Sequence, residues 1–225
     1  MAKKQNQSAR TTLEEVNESL TSAAQRIEDN KKYVSWAVIA IAILAVLAGG
    51  YIWLHNKGLA DATKKIGEAD LVLMQGQEDE ALKAFEKVAD DFSNKTGERA
   101  HLNAAIILYQ KGEYEKAAKH IESFGANGKL IGPASQSLLG DCYVNLKNYD
   151  KALSAFDKAI KLAGENEEFV PAFMIKKATV LHELKKYAEE ADVYQTIKDK
   201  YPVYGQQNSI SIDKYLERAN ALAGK

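Results

Sequence analysis

Cysteine occurs once in the 225 residues, tryptophan twice and proline three times. The lone thiol, Cys142, excludes an intrachain disulfide framework and any multi-cysteine metal site, and the composition as a whole suits one soluble domain of ordinary size plus something extra. A surplus of either charge is also missing. The net charge is -1; residues 1–32 carry six basic and five acidic groups, and residues 55–225 carry 24 basic and 26 acidic. Neither part has the basic surface of a nucleic-acid binder, so no nucleic acid is expected as a partner. The four histidines, His55, His101, His120 and His182, include no i,i+4 pair and no HExxH, so nothing in their spacing builds a zinc site. Cys142, between Gly140 and Tyr143 on an apolar helix pattern, reads as a small buried hydrophobe rather than a nucleophile. Gly49-Gly50 and Gly125-x-x-Gly128 lack the strand and helix context of a phosphate loop. Glu14-Glu15, Glu167-Glu168 and Glu189-Glu190 fall on polar faces and turns, where solvation explains them. No enzyme, cofactor or metal is expected.

What the chain does have is one long apolar run. Tyr33 to Leu54 is 22 residues without a charge, enough helix to cross a hydrocarbon core of about 30 Å. Tyr33 and Trp36 mark one end, Tyr51 and Trp53 the other, with Lys31, Lys32 and Lys57 just outside. Amphipathic rings and cations in that order are the dress of a membrane span. A cleaved signal has Ala60-Asp61-Ala62 in its favour; the 32-residue polar stretch ahead of the run, and the run's own length, favour a permanent anchor. Lys3, Lys4, Arg10, Arg26, Lys31 and Lys32 precede the run, against Lys57, Lys64 and Lys65 after it. That excess predicts a cytoplasmic N-terminus. The expected organisation is a cytoplasmic segment, 1–32, a transmembrane anchor through the lipid bilayer, 33–54, and a soluble domain, 55–225. Within the first, Leu13, Val16, Leu20, Ala23 and Ile27 form an a/d pattern behind a Thr12–Glu15 capping box, predicting a short amphipathic helix. In the anchor, Ala45 and Gly49 make one small-xxx-small pair.

Beyond Leu59 the apolar spacings are three and four throughout, and an internal repeat organises them. Ala69, Ala81, Phe85; Ala105, Ala117, Ile121; Gly140, Ala152, Phe156; and Ala178, Glu190, Tyr194 share internal spacings of 12 and 4, and successive sets lie 36, 35 and 38 residues apart. Turn residues interrupt each set at Gln75-Gly76, Lys111-Gly112, Lys147-Asn148 and Lys185-Lys186. Each copy is therefore helix, turn, helix, with small residues where the two helices cross and a large one filling the space beside the crossing. This register resembles the tetratricopeptide repeat, best in the third copy, with Leu139, Gly140, Tyr143, Tyr149, Ala152, Phe156 and Ala159. The consensus Trp is absent throughout, Glu190 stands in a small-residue slot, and the closing Pro is clear only at Pro202. The expected fold is all-α: an N-terminal transmembrane helix followed by a tetratricopeptide-like helical-hairpin solenoid of four repeats, with a capping helix over Asn208 to Ala223.

By that resemblance, a protein-binding groove would be lined in the second copy by Arg99, Leu102, Asn103, Ile106, Tyr109 and Gln110. The third would add Ser137, Asp141, Val144 and Asn145, and the fourth Ile175, Thr179, His182 and Glu183. Leu102, Ser137 and Ile175 stand where members that clamp a chaperone's C-terminal carboxylate carry Lys, so the resemblance does not extend to that clamp. The layout as a whole resembles the bacterial YfgM-type family of ancillary Sec translocon subunits. That resemblance implies a single-pass inner-membrane protein with periplasmic repeats, and as partners the translocon, soluble chaperones or unfolded polypeptide. A scaffold for division or outer-membrane biogenesis, or a cytosol-facing docking receptor with reversed topology, stays open beside it.

Overall fold

In the computed structural model, residues 28–126 and 128–224 are described, with Leu20, Thr21 and Gln25; most of the amphipathic helix expected before the anchor lies outside them. The chain divides into two compact units, one running to Gly58 and the other from Leu59 to Lys225. Helix α1, Lys31–Met74, contributes to both. In the first unit Tyr33 to Leu54 is helical and, apart from Val34, exposed wherever it is described.

In the second unit the last turns of α1, through Ile66 and Ala69, pack with α2, Glu78–Asp91. The pairs α3, Lys95–Gln110, with α4, Tyr114–Ser123, α5, Ile131–Asn145, with α6, Tyr149–Ala163, and α7, Phe169–Glu183, with α8, Tyr187–Lys200, follow. A single turn, α9, Tyr204–Gln207, and a last helix, α10, Ile212–Leu222, complete the described chain. Four hairpins and a terminal helix match the periodicity. All twelve residues of the 12-and-4 register are buried. The reason is visible at Gly140, where a Cβ would lie 2.5 Å from the Phe156 ring: the register positions are the helix crossings themselves.

The turns repeat as closely as the core. Gly76, Gly112, Lys147 and Lys185, each seven residues beyond the small residue of its first helix, take φ values of +78°, +78°, +57° and +59°. In each turn that residue's N–H donates to the carbonyl three back, at Leu73, Tyr109, Val144 and His182, and the next N–H donates to Val72, Leu108, Tyr143 and Leu181. This double bond pattern satisfies the helix's last carbonyls and needs a left-handed residue. Glycine takes that conformation freely; the two lysines hold it at a cost of about 1 kcal/mol each.

The buried side chains form three clusters along the array: Ile66, Phe85, Val88 and Ile107; Leu108, Ile121, Cys142, Tyr143 and Phe156; and Val170, Met174, Tyr194 and Ile197. The last group is closed by Ile212, Leu216 and Ala219 of α10. The capping helix thus exists but begins at Ile212, four residues later than the periodicity placed it. Asn208 and Ser209 form a turn, Ser209 with φ +55°, and Ile210 packs from the loop.

Candidate functional site

The residues expected in the groove lie on α3, α5 and α7, the first helices of their hairpins, and polar contacts cross every junction between neighbouring repeats on that face. At the first junction Arg99 Nη2 lies 2.5 Å from Asp70 Oδ2, and Asn103 Nδ2 donates to Asp70 Oδ1 at 3.5 Å. At the second, the Tyr109 hydroxyl lies near the Asn145 amide and Asp141; burial first, then the Asp141 charge, pushes the phenol up from its ordinary value, with Asn145 working against them. Asn145 Nδ2 also donates to the Asp141 carbonyl at 2.9 Å, and the Tyr109 ring meets Tyr114 edge-on at 5.4 Å. At the third, Lys176 Nζ reaches Asp141 Oδ2 at 2.5 Å and Ser137 Oγ at 3.2 Å. Burial raises the Asp141 carboxyl and the lysine works against it.

The fourth junction joins the last repeat to α10. Glu190, whose side chain is 0% exposed, accepts from Arg218 Nη2 at 2.8 Å through Oε1, and His182 Nδ1 lies 2.8 Å from its Oε2. Arg218 in turn lies over the Tyr215 ring, and Tyr215 stacks on Tyr194. A carboxylate stands in a slot that is alanine in the three earlier copies because the capping helix brings a cation to it. Without such a partner a buried charge of this kind is strongly unfavourable.

The sequence-derived positions therefore fall into three sets. Arg99, Asn103, Tyr109, Ser137, Asp141, Asn145 and His182 are engaged in the junctions, Ser137 being buried beneath Lys176. Leu102, Val144 and Ile175 are half-buried, with Val144 and Ile175 packed against the core. Ile106, Gln110, Thr179 and Glu183 are exposed on the same helices, Ile106 at 40%. Arg218 of α10 was not anticipated; nor, on the first helices of the hairpins, were Asp70 and Lys176. Both were within reach of the register: Asp70 corresponds to Ile106, Asp141 and Thr179, and Lys176 to Asn103.

Nothing on this face has the make-up of a reaction centre. Cys142 is buried, and burial pushes its thiol up to about 12, the opposite of an activated nucleophile. Among the described residues no three His, Cys, Asp or Glu side chains are grouped to hold a metal.

Residues 137–204 match the family model of the tetratricopeptide repeat, and residues 74–159 match that described as anaphase-promoting complex, cyclosome, subunit 3. The repeats are of the tetratricopeptide type. Solved structures agree on the fold. The nearly identical TPR-like repeats from Podosopora anserina superpose with a TM-score of 0.53 at 14% identity, covering 72% of this chain and 86% of that one. YrrB, a TPR protein with an unusual peptide-binding site, gives 0.50 at 16%, covering 70% and 84%. MamA from Desulfovibrio magneticus RS-1 gives 0.50 at 16%, covering 62% and 75%. Tetratricopeptide arrays present an extended side-chain surface to other proteins, and this chain is an interaction scaffold of that type.

Proposed function

We propose that this chain is a membrane-anchored tetratricopeptide scaffold of the bacterial inner membrane, an ancillary subunit of the Sec translocon. Its N-terminus would lie in the cytoplasm, and its repeats in the periplasm would hold soluble chaperones or emerging polypeptide beside the channel. One observation carries the reading: a scaffold domain follows an apolar helix whose surface is left uncovered among the described residues. The most apolar window of α1 has a mean hydropathy of 2.4 and none of it is buried. Leaving that area in water costs about 25 cal/mol per Å², and a bilayer removes the cost. Trp36 and Trp53, with Lys57 over the Trp53 ring at 5.4 Å, suit the two headgroup levels. Toward a partner, the first-helix face offers Ile106 and Tyr109 for apolar side chains and Gln110 and Asn145 for backbone amides, with its charges largely paired. Such a surface fits an extended polypeptide segment better than a charged terminus, and a peptide-binding site on YrrB, a protein of the same fold, is in keeping with it.

A reporter that is active only outside the cytoplasm, fused after Lys225, is expected to be active, and protease added to spheroplasts should remove the repeat domain. Purification in mild detergent should bring translocon subunits with the full chain. Protection of the repeats in intact spheroplasts would reverse the topology; envelope partners without translocon subunits would replace the channel with other machinery.

A further inference from the structure

Two histidines that are 19 residues apart in sequence meet in the second repeat. His101 on α3 and His120 on α4 are both half-buried, with Nδ1 atoms 3.0 Å apart and ring centroids at 5.1 Å. From α2, Glu86 Oε1 lies 3.9 Å from His120 Nε2, and the Asp90 charge acts on both rings. From α4 itself, Lys116 feels Glu86 but is bonded to Glu113 at 2.6 Å. With no third ligand grouped here among the described residues, the chemistry that fits two facing imidazoles is proton binding.

A hydrogen bond between two Nδ1 atoms needs one N–H and one bare lone pair. Glu86 favours the hydrogen on His120 Nε2, which leaves His120 Nδ1 as acceptor and His101 Nδ1 as donor. One added proton, on His101 Nε2, preserves and strengthens the bond, since a charged donor bonds more strongly. A second proton has only the accepting nitrogen to go to. Two N–H groups then face each other on two cations, and the contact is lost. We propose that His101 and His120 form a proton-operated clasp, holding the two helices of the second repeat together while at most one ring is charged and releasing them when both are.

Burial holds both rings below the ordinary imidazole value, and the His101 charge lowers His120 further, against the opposing pull of Glu86 and Asp90. The unfolded chain therefore binds more protons than the folded one. Stability from the pair is present above the unfolded value of about 6.5 and is lost as the pH falls through the folded values. The second repeat also carries Arg99 to Gln110, so release would loosen a large part of the partner-facing surface.

The test is a proton NMR titration of the full chain in detergent with carbon-labelled histidine. Resonances of His101 and His120 are expected to titrate in two coupled steps, the second below about pH 6.5, and His120→Gln should shift the His101 curve. An unchanged His101 curve in His120→Gln, or two independent curves in the unsubstituted chain, overturns the clasp. In parallel, the fall in Tm between about pH 7.5 and about pH 5 should be at least halved in the double variant His101→Gln, His120→Gln. An undiminished fall would also overturn it.

Discussion

At the scale of single residues, Glu190 departs furthest from its own repeat. Its slot holds Ala81, Ala117 and Ala152 in the earlier copies, so the helix crossing accepts a methyl group, and the carboxylate is tolerated only because Arg218 and His182 meet it. The two partners should therefore respond unequally to truncation. Arg218→Ala leaves a buried anion and is expected to cost about 2–3 kcal/mol, whereas Glu190→Ala restores the register residue and frees an arginine that is already part-exposed, costing about 1 kcal/mol or less. In the double variant most of the Arg218→Ala penalty should disappear, a coupling that urea unfolding of the repeat domain would measure. Additive losses would mean that the pair does not interact. None of this was legible in the sequence beyond the mismatch itself, because the cation arrives from 28 residues away on a helix whose rotation only packing decides.

At the scale of elements, the hairpins were legible and their finer geometry was not. A 12-and-4 spacing of small and large residues fixes which helix faces cross, since those faces have no alternative way to bury Phe85, Ile121, Phe156 and Tyr194. Turn placement followed to within one residue: the left-handed position is the second of the named pair at Gly76 and Gly112, and the first at Lys147 and Lys185, where no glycine marks it. The meeting of His101 and His120 depends on the angle between α3 and α4, which spacing does not encode. Two helical glycines test the crossing account. A Cβ on Gly67 meets nothing within 4 Å, so Gly67→Ala should stabilise the domain by about 0.5–1 kcal/mol through helix propensity alone. Gly140→Ala drives a methyl into Phe156 and should destabilise by about 1–3 kcal/mol. Equal effects in thermal unfolding would refute the assignment of Gly140 to a close crossing.

At the scale of the molecule, the proposed anchor and binding surface would divide two tasks, location and capture, on one chain. Tethering raises the effective concentration of a weakly held partner, so residues 58–225 alone should keep soluble partners in pull-downs and lose the membrane complex. Tyr109→Ala with Asn145→Ala should do the opposite, removing the contact at the second junction together with the aromatic area beside Ile106. If the free domain still brings down the membrane complex as strongly as the full chain, the repeats themselves dock to it. The helix α10 bears on a different property. Its Ile212, Leu216 and Ala219 occupy the face of the fourth hairpin where a fifth would stack. Remove α10, and the tail of one molecule has the chemistry to receive the head of the next. Head-to-tail contacts of that kind do not close on themselves. A chain ending at Ser211 is thus expected to sediment as a concentration-dependent series of oligomers where the 225-residue chain does not, which would make α10 a terminator of polymer growth.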